Sequence, residues 1–203
     1  MNLRSVFSRA VHLLLAGAPA MALPVGAQEY QVNLEANRLV RFVSQTTLDE
    51  FEGVTDQVDG YVLLDSERLS QDTGRGHTEL YFEVDLGSLE TGIGLRNRHM
   101  RANYLETDRY PYAVYSGELK GVSVTETGFS VTARGTLSIH GIDRPAEVPC
   151  RVSPVQDGYR VTCAFQVLLS DYDIEIPKVM FLKLANDIDL DVDFMVRPAG
   201  GSE

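Results

Sequence analysis

The sequence predicts an all-β protein that folds as one antiparallel sandwich or barrel. After the first 27 residues, apolar and polar side chains alternate along most of the chain, which is the pattern of half-buried strands. Glycine-containing turn signals separate these segments at short intervals, as expected where tight turns join antiparallel strands. The chain has no internal repeat and no linker, and its length suits a single domain with its own core.

Residues 1–27 are expected to form a secretory signal peptide. Arg4 and Arg9 precede an apolar run, and Val25-Gly26-Ala27 supplies the small residues of a cleavage site near Ala27. The run is too short, and too often broken by glycine and proline, to span a bilayer about 30 Å thick. We therefore expect a soluble, exported protein rather than an integral membrane protein, with its mature domain at residues 28–203.

The net charge of the chain excludes some classes of partner. The formal charge is −11, and residues 1–27 contain two arginines and no acidic residue, so the mature domain would carry −13. Nucleic acids and anionic membrane surfaces attract proteins with a basic patch, so neither is an expected partner. The sequence does not fix the oligomeric state, and a homodimer stays open.

The alternation of apolar and polar residues predicts seven or eight strands. The apolar residues of each strand are expected to point inward. In the first half of the chain these are Val40 and Phe42, then Val62 and Leu64, then Leu80, Phe82 and Val84. In the second half they are Ala113, Tyr115 and Leu119, then Val131, Leu137 and Ile139, then Val161 and Phe165, then Ile188, Leu190 and Val192. These residues are the expected interior of the sandwich or barrel.

Turns and one interruption complete this outline. Turns are expected at Asp59-Gly60, Lys120-Gly121, Thr127-Gly128, His140-Gly141 and Asp157-Gly158. The interruption runs from Ser88 to Leu105, where Met100 and Tyr104 stand four residues apart and the pattern permits a short helix.

The two cysteines, Cys150 and Cys163, are expected to form a disulfide. Both lie on the apolar face of their strand, and an even count in an exported protein favours a disulfide over metal or redox chemistry. If the hairpin turns between Gln156 and Asp157, the cysteines are equally far from the turn and face each other. Two buried free thiols are the alternative.

The sequence contains no motif typical of a catalytic or metal centre. The patterns of nucleophile-elbow hydrolases, zinc proteases, dithiol redox sites and P-loops are absent. An acidic ladder, NDIDLDVDF at residues 186–194, lacks the glycine and glutamate of an EF-hand and is interpreted as a solvated strand face. We therefore expect no metal and no cofactor.

One basic stretch, LRNRHMRANYLETDRYPYAVY at residues 95–115, stands out in this acidic chain. Its basic side chains are Arg96, Arg98, His99, Arg101 and Arg109. They either form salt bridges with neighbouring acidic residues, or they surround the mouth of a cavity and hold a phosphate or quinone oxygen, which the planar guanidinium suits. Both interpretations stay open.

Three segments of the sequence carry a family resemblance. They are TGIGLRNRHMRANYLETDRYPYAVYSGEL, GTLSIHGIDRPAEV and SDYDIEI, in this order. Together they resemble the YceI-like family of bacterial periplasmic proteins. The matching positions of the first segment are Arg96, His99, Met100, Tyr104, Leu105, Tyr110, Pro111, Ala113 and Tyr115; those of the second are Gly135, Leu137, Ile139, Gly141, Ile142, Arg144 and Pro145.

The resemblance implies an eight-stranded antiparallel lipocalin-like barrel with a short helical insertion near its mouth. It implies that the lumen binds a long isoprenoid-type lipid, such as a polyprenyl phosphate or an isoprenoid quinone, for carriage or storage in the periplasm, without catalysis. The lumen would then be lined by the inward residues above together with Met100, Tyr104 and Leu105, with Arg96, Arg98, His99 and Arg101 as head-group candidates. Two alternatives remain: an enzyme acting on a lipid in the barrel, with His99 as acid or base, or a secreted stress module without a ligand.

Overall fold

The computed structural model describes residues 26–45, 50–73, 77–176, 178–179 and 182–200. The predicted signal peptide, residues 1–27, therefore lies almost entirely outside the described residues. The strands are β1 (Gln28–Val32), β2 (Leu39–Gln45), β3 (Glu50–Thr55), β4 (Val58–Leu64), β5 (Glu79–Asp85), β6 (Tyr112–Thr125), β7 (Gly128–Ile139), β8 (Ile142–Val155), β9 (Gly158–Leu168), β10 (Lys178–Val179), β11 (Leu182–Lys183) and β12 (Asp187–Pro198). Helix α1 (Gly94–His99) continues as a π turn (Met100–Tyr104), and 3₁₀ turns lie at Leu86–Ser88 and Leu169–Tyr172.

The main sheet closes on itself as an antiparallel barrel. Strands β4 to β9 pair in chain order, and β9 pairs with residues 187–196 of β12. Strands β10 and β11 form a separate two-stranded sheet. The other edge of β12 pairs first with β2 and then with β1, so β1 and β2 together act as one broken strand. Strands β3 and β4 act as a second broken strand, because they pair with β2 and β1 respectively. The ring therefore has eight strands, which confirms the predicted eight-stranded, lipocalin-like barrel.

One end of the barrel, which we call the capped end, carries the helical insertion. The chain leaves β5 there, forms α1 and the π turn, and returns as β6. The β7–β8 hairpin, residues 169–176 and residues 184–186 lie at the same end. The predicted helix within residues 88–105 is thus confirmed. In the part of the chain that the structure describes, no helix has the length and apolar character of a membrane span.

Three of the five expected turns are confirmed, and two are wrong. Thr127-Gly128, His140-Gly141 and Asp157-Gly158 lie in the hairpins β6–β7, β7–β8 and β8–β9. Gly60 instead lies inside β4 with φ of 146°, where a Cβ atom would come within 2.7 Å of the Phe82 Cα atom. Gly121 lies inside β6 at a bulge, where the pairing with β7 shifts between Leu119 and Gly121. Gly60 thus allows two strands to approach closely, and Gly121 allows a strand to bend, whereas neither reverses the chain.

The disulfide between Cys150 and Cys163 is present. The two residues are directly opposite in the β8–β9 register, with an S–S distance of 2.04 Å. The hairpin turns at Gln156 and Asp157, because Val155 pairs with Gly158. The predicted register is therefore confirmed, and the structure does not support the alternative of two free thiols. In the chain-entropy model, closing a loop of this size stabilises the fold by about 3 kcal/mol.

The acidic ladder of β12 lies on the outer face of the barrel and is paired across the strands. Asp191 accepts from Arg41 at 2.6 Å, Asp189 accepts from Gln166 at 3.0 Å, and Asp193 pairs with Arg160. Such exposed pairs are each worth about 1 kcal/mol or less. Among the described residues, no group of three or more metal-ligating side chains is arranged to hold an ion.

Candidate functional site

The interior of the barrel is a single large cavity of about 930 Å³. This volume is near the upper limit of ordinary ligand pockets, which hold roughly 300–1,000 Å³. Its wall consists of the side chains that alternate inward from the barrel strands. Every residue that the sequence predicts for the lumen lies on this wall, from Val40 on β2 to Val192 on β12, including Met100, Tyr104 and Leu105 of the insertion.

The end of the cavity opposite the cap is closed by a loop and two tyrosines. Leu69, in the loop after β4, is buried against the core and lines the cavity. The Tyr159 hydroxyl accepts from the Leu69 backbone N–H at 3.1 Å, and the Tyr30 hydroxyl donates to the Glu67 carbonyl at 2.8 Å. The two tyrosine rings pack with centroids 5.4 Å apart. The pKa of Tyr30 is raised to about 12, mainly because the side chain is buried. These contacts therefore close this end of the cavity.

The middle of the cavity is apolar and aromatic. Phe82 and Phe194 pack with ring centroids 5.1 Å apart, and Phe165 joins the same apolar cluster from β9. The Tyr115 hydroxyl lies 3.5 Å from the Ala146 carbonyl oxygen, at the long limit of a hydrogen bond. Burial raises the pKa of Tyr115 to about 12, with a smaller contribution from Glu147. A titratable group in this region is thus held in its neutral form.

The cavity reaches the surface at the capped end. Among the described residues of the wall, the exposed ones are Glu50, Ile93, Leu95 and His99, and all four lie at this end. Ile93 is 50% exposed and Leu95 is 59% exposed, although both also line the cavity. The Arg96 guanidinium lies over the Phe51 ring, 4.7 Å from its centroid. The mouth is therefore an apolar rim with the Arg96 guanidinium and the acidic side chain of Glu50 beside it.

Buried polar contacts fix the helical insertion onto the barrel. Asn97 is buried, accepts from the Thr91 backbone N–H at 2.8 Å, and donates to the Glu90 carboxylate. The backbones of Glu90 and Val54 of β3 exchange two hydrogen bonds, each N–H donating to the other residue's carbonyl oxygen at 2.9 Å. Arg101 donates to the Leu89 carbonyl at 2.7 Å and forms an ion pair with Glu90 at 2.6 Å. These bonds close the gap beside β3, where the strand has no continuous partner.

His140 joins the other segments of the capped end. Its Nδ1 atom lies 3.0 Å from the Tyr172 carbonyl oxygen, and its ring packs edge-on against Tyr110 with centroids 4.7 Å apart. Its Nε2 atom lies 3.6 Å from Glu106 Oε1. One side chain on the β7–β8 hairpin therefore contacts both the end of the insertion and the segment that follows β9.

The family match agrees with this geometry. A family model described as "YceI-like domain" matches residues 30–196, from the middle of β1 to near the end of β12. The chain belongs to the YceI-like family. No curated protein sequence matches the chain.

Solved structures show the same fold as this YceI-like barrel at low sequence identity. Burkholderia cenocepacia BcnA is 14% identical with a TM-score of 0.65, over 81% of this chain and 98% of that protein. A polyisoprenoid-binding domain from Saccharophagus degradans is 19% identical with a TM-score of 0.64, over 84% of this chain and 98% of that one. The Campylobacter jejuni YceI protein is 14% identical with a TM-score of 0.54, over 71% and 83% of the two chains.

The four head-group candidates of the YceI-like chain do not lie together. Arg96 and His99 line the cavity near its mouth. Arg98 and Arg101 instead face a shallow polar pocket on the outside of the insertion, beside Arg109. Arg101 is also held by Glu90, as the salt-bridge interpretation expects. The salt-bridge interpretation therefore fits Arg101, whereas Arg96 and His99 stay head-group candidates.

Sequence reasoning missed part of the wall of the YceI-like cavity. The missed residues on the barrel strands include Tyr30, Ser44, Phe51 and Val196. Strand alternation could have found Ser44, because it shares the inward face of Val40 and Phe42. Leu69, Ile93 and Leu95 lie in loops or in the insertion, where alternation gives no signal.

Proposed function

We propose that this YceI-like protein binds one long, apolar isoprenoid-type lipid in its barrel lumen, for carriage or storage. The observation that supports this most directly is the shape and lining of the cavity. It is about 930 Å³, sealed at one end, apolar along its wall and open at the other end. A linear apolar chain with a polar head fits such a space, with its tail inside and its head at the mouth.

The hydrophobic effect is large enough to hold such a ligand. Burying roughly 600 Å² of prenyl chain at about 25 cal/mol per Å² contributes about 15 kcal/mol before the costs of ordering the ligand. The wall need not form any polar contact with the tail. The similar fold of the polyisoprenoid-binding domain from Saccharophagus degradans supports the choice of an isoprenoid over other apolar chains.

We place the head group of a charged ligand beside Arg96 and His99, since only these two of the four basic candidates line the cavity. Arg96→Ala is expected to weaken binding of geranylgeranyl phosphate by about 1–3 kcal/mol, the cost of a lost hydrogen bond to a charged group. Arg98→Ala is the matched control, because Arg98 is two residues further along α1 and lines the outer pocket instead of the cavity. Calorimetric titration measures both variants, and an equal loss in Arg98→Ala would contradict this placement.

Export to the periplasm, after cleavage near Ala27, is part of the same proposal, as is binding without catalysis. Recovery of the protein from the periplasm of a bacterial host, followed by native mass spectrometry and lipid extraction, tests both. We expect a mature chain that begins near Gln28 and carries an unmodified isoprenoid-type lipid. A protein that is recovered empty and binds neither menaquinone-4, geranylgeraniol nor geranylgeranyl phosphate would contradict the proposal. Conversion of the lipid by the parent protein, abolished in His99→Ala, would instead support the enzyme alternative.

A further inference from the structure

The cavity wall contains one polar group that the fold does not explain. Ser44, on β2, is 1% exposed, and its Oγ atom has no hydrogen-bond partner among the described residues. Two other buried polar atoms share this property, Arg101 Nε and His140 Nε2, but neither residue lines the cavity. Ser44 does line it.

The other buried polar side chains of the described residues are bonded. Thr78 Oγ1 accepts from the Leu119 N–H at 2.8 Å, Thr55 Oγ1 from the Gln57 N–H at 2.9 Å, and Thr73 Oγ1 from the Ser70 N–H at 2.9 Å. Asn97 is bonded to Thr91 and Glu90. Buried hydroxyls in native proteins normally have a partner, so an unpaired one facing a ligand cavity indicates a partner on the ligand.

The surroundings of Ser44 restrict that partner. Ser44 is opposite Phe51 on β3 and opposite Ile188 on β12, and both side chains share its inward face. Phe42 precedes it on the same face of β2 and packs edge-on against Phe51, with centroids 6.0 Å apart. The hydroxyl is thus set in an apolar patch near the capped end. A neutral oxygen can enter this patch with one hydrogen bond, whereas an ionised phosphate would lose its hydration there.

We infer that Ser44 Oγ binds a neutral oxygen of the lipid head, a quinone carbonyl or a prenol hydroxyl, within the cavity. This inference rests on the proposed lipid-binding function. It separates two positions at the capped end: a buried one at Ser44 for neutral heads and a rim position at Arg96 for charged heads. Both positions adjoin Phe51, which is opposite Ser44 across the β2–β3 pair and whose ring lies under the Arg96 guanidinium.

Ser44→Ala tests the inference, with Ser130→Ala, an exposed serine of β7, as the matched control. The probes are menaquinone-4, geranylgeraniol, geranylgeranyl phosphate and squalene, which has no oxygen. Ser44→Ala is expected to lower the affinity for menaquinone-4 and for geranylgeraniol about fivefold to tenfold, which is the effect of losing one neutral hydrogen bond. Binding of squalene and of geranylgeranyl phosphate should be unchanged, and Ser130→Ala should change none of the four.

Several outcomes would overturn the inference. An equal loss for squalene would mean that Ser44 acts through packing, and an equal loss for geranylgeranyl phosphate would mean that the site does not select neutral heads. No loss for any probe would remove Ser44 from binding. Thermal unfolding of the ligand-free Ser44→Ala variant is an independent test. Its melting temperature should not fall, because the substitution removes no hydrogen bond within the protein. A fall of several degrees would show that Ser44 has a bonding partner in the protein itself. If the parent binds none of the probes, the lipid-binding proposal itself fails.

Discussion

Phe165→Glu is expected to abolish binding of isoprenoid lipids while leaving the barrel folded. Phe165 lies at the centre of β9, opposite Leu190, and packs against both apolar clusters of the interior. A carboxylate at this position would be unpaired in an apolar cavity, which costs several kcal/mol when a ligand excludes the remaining water. We expect the affinity for menaquinone-4 to fall by more than about a hundredfold, since each factor of ten corresponds to about 1.4 kcal/mol.

A control on the same strand separates the lumen from the outer surface. Thr162→Glu introduces the same side chain on the outward face of β9, opposite Arg151 of β8. Circular dichroism should show both variants folded, and titration should show normal binding only for Thr162→Glu. Unchanged binding in a folded Phe165→Glu variant would mean that the lipid does not occupy the lumen.

Gly135→Val is expected to destabilise the barrel by at least about 3 kcal/mol or to prevent folding. Gly135 and Gly117 face each other across β7 and β6. A Cβ atom on Gly135 would meet the Ser116 carbonyl oxygen and would lie 2.7 Å from the Gly117 Cα atom. Because the obstacle is the backbone of a paired strand, side-chain rearrangement cannot relieve the contact.

Gly121→Ala on the adjacent strand is the matched control for this effect. No atom lies within 4 Å of a Cβ built on Gly121, and its φ is not in the left-handed region. The free energy of unfolding of the Gly121→Ala variant should stay within about 0.5 kcal/mol of the parent value, as for most surface substitutions. Denaturant titration compares the two variants. A Gly135→Val protein as stable as Gly121→Ala would show that β6 and β7 are not packed this closely.

The barrel and most of its wall could be predicted from the sequence because a closed antiparallel sheet obeys a simple rule. Inward and outward residues alternate along each strand, so Val131 and Leu137 on β7 could be assigned to the interior without knowing which strands pair. The Cys150–Cys163 pair followed from the same rule together with one turn position.

The parts that could not be predicted depend on contacts between distant segments. Gly60 resembles a turn residue in sequence, but its role is set by the approach of Phe82 on the next strand. Arg96 and Arg98 are two residues apart in α1 and therefore point in different directions, but which of them faces the cavity depends on how the insertion docks against β3. Ser44 fits the inward alternation, but serine is a residue type that is mostly exposed, so its burial follows only from its neighbours in the folded barrel.

The sealed end of the cavity has a kinetic consequence for any bound chain. The strands are hydrogen-bonded around the ring except beside β3, where the insertion fills the gap, and Tyr30, Tyr159 and Leu69 close the far end. A prenyl ligand would therefore thread in tail-first and leave head-first through the rim at Ile93 and Leu95. Each additional isoprene unit would lengthen the path that must be withdrawn into water, so residence time should rise with tail length, with little change in the rate of entry. Stopped-flow release of menaquinones with two and four isoprene units would show no such difference if the ligand escaped sideways between strands.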